Sequence, residues 1–200
     1  QVFTEANGFI NSVWMTSNTD GFMQGDPVST RWSLWKTTNG GANWDSTGLY
    51  LAKQGSEAGW NSSMTVLNNK IWFGTNNTKI YYSSNSGTNW IAQSTAPELN
   101  TYSMTIDPNV QMTGFAGGVS MLKTSNGGTN WTPVTVPGTG NFSGFAINSN
   151  AVPWAWLVRS NNNIYYTDAT SSVIYQLTNN NWIQKHQIVI GKNTWPEEKK

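Results

Sequence analysis

Cysteine is absent from the 200 residues, which removes disulfides, thiolate nucleophiles and cysteine-based metal sites together. Charge is scarce as well: Asp, Glu, Lys and Arg make up 10% of the chain, against about 25% in an average soluble domain. The two arginines are Arg31 and Arg159 and the net charge is +1. No basic stripe can track a phosphate backbone, so nucleic acid is not an expected partner. No apolar run reaches the roughly eighteen residues that a membrane-crossing helix needs, and no membrane insertion is expected. The one histidine, His186, has no second histidine or cysteine to share a metal, and no serine stands in a nucleophile-elbow context. Glycine loops of the phosphate-cradling kind are missing too, since the Gly-Gly pairs fall in turn strings, so neither metal nor cofactor is expected.

Aromatic residues and small polar residues take up the space left by charge. Twelve Trp, seven Tyr and seven Phe suit strands, and the Asn, Thr, Ser and Gly between them suit turns, so the chain is expected to be all-β. Its first residue, Gln1, fits a mature chain after signal-peptide removal, and an excised piece would begin the same way. The expected location is secreted or at the cell surface.

Self-similarity organises the chain. TTNGGANW runs from Thr37 to Trp44, SSNSGTNW from Ser83 to Trp90, and TSNGGTNW from Thr124 to Trp131. The tryptophans lie 46 and 41 residues apart, and a degenerate copy, TNNNW, ends 51 residues later at Trp182. Periods of this size mark propellers or solenoids. Each copy follows a short alternating run (SLWKT, KIYYS, SMLKT) and precedes another, which places it on the turn of a hairpin. Asn39, Asn85 and Asn126 can each turn a side-chain oxygen onto the backbone N–H groups of the bend. Gly41, Gly87 and Gly128 are expected at positive φ, and Trp44, Trp90 and Trp131 then fold back to bury their rings. Thr37, Ser83 and Thr124 supply a hydroxyl at the strand end.

This pattern resembles the Asp-box, S/T-x-D-x-G-x-x-W, of the BNR-repeat propellers that include the sialidases, with Asn in place of Asp. The substitution keeps the acceptor oxygen and removes the charge, which makes a cation site at the box unfavourable. The resemblance implies a β-propeller of about four four-stranded blades over residues 1–195, near 5–51, 52–97, 98–138 and 139–190, with a charged tail at 196–200. The expected strands are Phe9–Met15, Gly21–Gly25, Trp32–Thr37 and Asn43–Asp45 in the first blade. Ser62–Leu67, Ile71–Gly74, Lys79–Ser83 and Asn89–Gln93 form the second, and Tyr102–Ile106, Gly114–Gly117, Ser120–Thr124 and Asn130–Val134 the third. Phe142–Asn148, Ala155–Arg159, an interrupted Ile164–Gln176 and Trp182–Val189 form the last. Four blades are few for such relatives, and IVIGKNTW reads as the start of a fifth. The ring is therefore expected to be incomplete, to be closed by further blades, by self-association or by a partner. A closed four-bladed ring is the alternative.

The boxes sit on the outer rim in this architecture and are structural. Sialidase chemistry is disfavoured, because the family clamps its substrate carboxylate with a trio of arginines and lysine cannot copy that fork. Another propeller glycoside hydrolase, with its centre completed by missing blades, would need paired carboxylates about 5 to 9.5 Å apart. Asp26 with Asp107 is the pair to examine, although both lie in turn-like strings. A photosystem II stability factor-like assembly role is a further reading, but the arginine patch of that family is missing. The preferred function is noncatalytic: binding of a protein or polysaccharide, or a structural part of a surface assembly, through aromatic surfaces. Arg31, Trp32 and Trp60 are the expected contacts, with the other tryptophans packed between blades. Asn61, Asn76, Asn130 and Asn141 stand in Asn-x-Ser/Thr sequons, which matter only in a eukaryotic secretory route.

Overall fold

The computed structural model describes residues 3–107, 109, 112–148, 154–161, 163–168 and 175–176. The regular elements among them are all β-strands, gathered in four antiparallel sheets. Sheet one holds β1 (Ile10–Met15), β2 (Gly21–Val28) and β3 (Arg31–Thr37). Sheet two holds β4 (Gly59–Leu67), β5 (Lys70–Thr75), β6 (Lys79–Ser83) and β7 (Ile91–Ser94). Sheet three follows with β8 (Ser103–Ile106), β9 (Gly114–Gly117), β10 (Met121–Thr124) and β11 (Thr132–Val134), and sheet four with β12 (Phe142–Asn148), β13 (Trp154–Arg159), β14 (Ile164–Asp168) and β15 (Tyr175–Gln176). In every sheet the strands pair in chain order, an up-and-down meander.

Two expected strands are corrected. Asn43–Asp45 does not form a fourth strand of sheet one; pairing there shrinks to the isolated contacts Lys36–Asp45 and Arg31–Ala52. The Asp45 carboxylate caps the Thr47 N–H at 2.8 Å and Gly48 takes φ 77°, so the chain turns away after one pair. In sheet four, Ile164–Gln176 is two strands rather than one, because Tyr165 and Tyr166 pair antiparallel with Gln176 and Tyr175. The fourth strand is thus Tyr175–Gln176, and the expected Trp182–Val189, with the degenerate copy at Trp182, IVIGKNTW and His186, lies outside the described residues.

The first strand of each sheet lies beside the first strand of the next, β1 by β4, β4 by β8 and β8 by β12. Neighbouring first strands run in the same sense, as the Ser63 hydroxyl donates to the Thr101 carbonyl at 2.7 Å and the Thr65 hydroxyl to that of Met104 at 3.5 Å. Each seam between sheets is its own apolar core. Phe22, Trp32 and Leu34 of sheet one meet Met64, Val66, Ile71, Phe73 and Tyr81 of sheet two. On the other face of sheet two, Trp72 and Ile80 meet Met104, Ile106, Ala116, Leu122 and Trp131. Sheets three and four join through Phe115 and Met121 against Phe142, Ala155, Leu157 and Tyr165. Alternate residues of a strand face opposite seams, so a sheet covered on both sides needs apolar residues at consecutive positions. Ile71-Trp72-Phe73 and Ile80-Tyr81 supply them. Each such side chain contributes about 1.5–3 kcal/mol by leaving water.

Charge enters the seams only where it is held. Glu57, buried at 3% exposure, sits between sheets one and two and meets Lys79 Nζ at 2.6 Å. It also accepts from the Tyr81 hydroxyl at 2.9 Å, the Gln54 N–H at 3.1 Å and the Trp32 indole N–H at 3.4 Å. Burial pushes its pKa up, but Lys79 and the hydrogen bonds outweigh burial and hold it below the usual glutamate value. Burial and the adjoining carboxylate push the Tyr81 phenol up. Glu98 has a similar place between sheets two and three, accepting from the Ser120 N–H at 2.6 Å. At the third seam the Arg159 guanidinium donates to the carbonyls of Val136 and Gly140 at 3.0 and 2.6 Å and lies 4.2 Å over the Phe142 ring.

Candidate functional site

The three motif copies adopt one geometry. The Thr37 hydroxyl accepts the N–H groups of Asn39 and Gly41 at 3.3 and 2.9 Å and donates to Asn39 Oδ1 at 3.0 Å, and that oxygen accepts the Asn43 N–H at 2.9 Å. Ser83, Asn85, Gly87 and Asn89 repeat the four bonds at 3.3, 2.9, 3.0 and 2.8 Å. Thr124, Asn126, Gly128 and Asn130 do so at 3.3, 2.8, 3.0 and 2.9 Å. An amide oxygen with two lone pairs takes both the hydroxyl and the backbone N–H, so no carboxylate is needed. Gly41, Gly87 and Gly128 have φ of 82°, 84° and 89°, where a Cβ is strained.

Two of the three motif rings go to the seams. Trp90 donates its indole N–H to the Gly87 carbonyl at 2.9 Å and packs against Phe73 and Phe22. Trp131 is buried and donates to Gln93 Oε1 at 3.3 Å. Trp44 is only half-buried and lies over its own Gly41. These twelve residues hold turns and pack sheets, and none of them lines the cleft described next.

That cleft, of about 480 Å³, opens where the first strands begin. Phe9 and Asn11 come from β1 and the residue before it, Gly59, Trp60 and Asn61 from β4, and Tyr102 from the approach to β8. Asn141, Phe142 and Ser143 come from the start of β12, with Asp26 from β2 and Ser160 after β13. Each sheet thus places one aromatic residue at the head of its first strand: Phe9, Trp60, Tyr102 and Phe142. Phe9 is 56% exposed whereas Phe142 is fully buried. Trp60 and Tyr102 meet edge to face, centroids 4.5 Å apart at 72°. The Trp60 indole nitrogen is buried and no acceptor among the described residues reaches it.

Of the expected contact residues, Trp60 therefore lies in the cleft, while Arg31 is half-buried at the start of β3 and does not line it. Trp32 must be corrected. At 1% exposure it is a seam residue, against Phe73 and Tyr81 with its N–H on Glu57. Its neighbour Arg31 points to the opposite face of the strand, so their adjacency in sequence does not make one surface.

The acidic pair is also corrected. Asp26 lines the cleft, accepting from Asn11 Nδ2 and the Gly59 N–H, both at 2.8 Å. Asp107 is buried beyond the far end of β8 and accepts the Asn109 N–H at 2.8 Å. Because first strands run in the same sense, β8 separates the two by four residues of about 3.3 Å each, more than a paired-carboxylate mechanism spans. Among the described lining residues Asp26 is the one carboxylate.

No family model and no curated protein matches the chain. Solved structures do match. YCF48 bound to D1 peptide superposes with a TM-score of 0.57 at 14% identity, over 84% of this chain and 53% of that one. YCF48 from Cyanidioschyzon merolae gives 0.57 at 15%, over 88% and 58%. An ancestral GH74 enzyme gives 0.58 at 18%, over 84% and 25%. The four sheets are therefore blades, and the chain has the β-propeller fold. It spans little more than half of the YCF48 chains and a quarter of the GH74 chain. The described blades do not close a ring.

Proposed function

We propose that this chain is a noncatalytic propeller module of the Asp-box (BNR) type, secreted or carried at a cell surface, that holds a polymeric partner in the cleft at the heads of its first strands. The observation that carries the reading is the recurrence of one aromatic residue per blade around a cleft whose other described lining residues are amides, hydroxyls, Gly59 and the Asp26 carboxylate. Aromatic faces with a few convergent polar groups are the usual composition of a recognition site. Three boxes with identical bonding support the family assignment, and the Asn- and Thr-rich, charge-poor surface accords with export.

The ring is completed by further blades of a longer chain, by a second copy or by a partner. Val13 and Met15, alternate residues of β1 beyond its bulge, share one face of the first blade and are 55% and 41% exposed, as an edge that receives another sheet would be. Sedimentation of the intact protein tests this, and a compact monomer with no added chain removes it.

The binding role is tested with Trp60→Ala and Tyr102→Ala in immobilised-polymer and partner-capture assays. At least a tenfold loss in both, with melting unchanged, is expected. Binding by both variants at the level of the unsubstituted protein removes the cleft from the role. Reducing ends released from a polysaccharide, abolished by Asp26→Asn, would replace the binding module with a hydrolase whose second carboxylate lies outside the described residues.

A further inference from the structure

The cleft carries a second layer of information, its charge and hydrogen-bond inventory. Among the described residues neither Lys nor Arg lines it. The nearest guanidinium by sequence, that of Arg159 beside Ser160, is turned into the blade seam behind Phe142 and spends its donors on the Val136 and Gly140 carbonyls. An anionic ligand would meet the Asp26 carboxylate with no cation among the described lining residues to offset it, and like charge at close range is repulsive even in a partly wet site. The polar wall is instead Asn11, Asn61, Asn141, Ser143 and Ser160. Amides and hydroxyls both donate and accept, which matches a ligand whose own groups do both, as hydroxyls do.

The apolar part points the same way. Trp60 and Tyr102 present broad amphipathic rings, each with a polar tip, and the Trp60 N–H is a buried donor without an acceptor among the described residues. A buried donor left unmade is costly, so the site gains most from a ligand that brings an oxygen to it. Peptide capture relies on a ladder of strand N–H and C=O groups or on a deep apolar pocket. Here all but one of the lining residues carry a side chain, the exception being Gly59, whose N–H is held by Asp26, and the deeply set aromatic residue, Phe142, is closed over by Arg159.

We propose, building on the binding role above, that the cleft takes an uncharged carbohydrate chain. Sugar rings lie on Trp60 and Tyr102, a hydroxyl or ring oxygen accepts the Trp60 N–H, and the free side of the Asp26 carboxylate accepts a sugar hydroxyl. Asn11 and the Gly59 N–H hold that carboxylate in place. Recurrence of the aromatic position in successive blades gives a chain of sugar units, rather than a single one, a row of contacts.

Calorimetry with the whole protein tests this, using neutral gluco-, xylo- and manno-hexasaccharides against hexagalacturonate, a sulfated hexasaccharide and a decapeptide array. The expected result is binding of at least one neutral hexasaccharide, with both anions at least tenfold weaker. Trp60→Ala should lose binding by about a hundredfold, and Trp60→Phe, which keeps a ring but not the donor, by about tenfold. Anion binding equal to or tighter than neutral binding, if lost in Trp60→Ala, overturns the uncharged ligand and leaves the cleft reading standing. Capture of peptide alone, also lost in Trp60→Ala, does the same. A ligand of any class held undiminished by a folded Trp60→Ala protein brings down the cleft reading itself. No measurable binding of any neutral hexasaccharide up to about 10 mM, roughly −2.7 kcal/mol, also overturns the inference.

Discussion

Replacing Glu57 with alanine should unlock the seam between the first two blades. Its carboxylate is wholly buried and receives Lys79, Tyr81, Gln54 and Trp32. In the alanine protein the Tyr81 hydroxyl and the Trp32 N–H lose this acceptor inside the core. Lys79, with 19% of its side chain exposed, keeps Gln54 Oε1 at 2.7 Å. A buried polar group left unpaired costs about 1–3 kcal/mol, and breaking a buried ion pair about 3–5 kcal/mol in all. The expected loss is therefore about 3–5 kcal/mol for Glu57→Ala and about 1–3 kcal/mol for Glu57→Gln, which keeps one acceptor oxygen. With a urea slope of about 2 kcal/mol/M, the alanine protein should unfold about 1.5–2.5 M earlier. Urea titration followed by tryptophan fluorescence reads this directly. A midpoint moved by less than about 0.5 M at unchanged slope would mean that the carboxylate is solvated and the seam does not depend on it.

The same residue sets a pH dependence. Its folded pKa lies below the usual glutamate value, so its stabilisation is present above about pH 4.3 and is lost as pH falls through the folded pKa. Acid titration of Glu57→Gln should show a shallower loss of stability in that range than the parent. At the box, Asn85→Asp should leave the melting temperature nearly unchanged because the acceptor oxygen stays, whereas Asn85→Ala should cost about 1–2 kcal/mol by calorimetry. Gly87→Ala should cost more, above about 2 kcal/mol. Its φ is 84° and a Cβ would lie 2.8 Å from the Phe22 ring of the preceding blade. Asn61 and Asn141 both line the cleft and both are exposed, so glycosylation of either sequon in a eukaryotic secretory host should weaken ligand binding. Glycan occupancy by mass spectrometry, with Asn61→Gln and Asn141→Gln restoring binding, checks it.

The boxes were legible in the sequence because their bonds are local. A hydroxyl, an amide and a glycine within five residues determine the bend, and nothing distant is needed to read them. The strands flanking the boxes could be placed from them, apart from the missing strand at Asn43–Asp45, where Asp45 caps its own turn, and the two strands hidden in Ile164–Gln176. Side-chain exposure was not legible. Strands buried on both faces lose the polar alternation that separates inside from outside, so Trp32 and Trp60 look alike in sequence although one fills a seam and the other lines the cleft. The cleft itself gathers residues from Phe9 to Ser160. A signal for it does exist: GWNS, TYS and NFS each set an aromatic residue beside small polar ones just where a blade's first strand begins, and GFIN has its asparagine two residues after the ring, a repeat out of phase with the boxes and shorter than they are.

The boxes also give the stack a direction. Gly127 of the third blade's box offers its carbonyl to Trp72 and Gln93 of the second blade at 3.2 and 3.1 Å, and Gly87 of the second abuts Phe22 of the first. Each of these two boxes therefore fastens its own blade to the one before it. A copied unit inserted downstream would arrive with its own fastening, whereas excising one from the middle would leave its predecessor's Trp and Gln donors facing a mismatched surface.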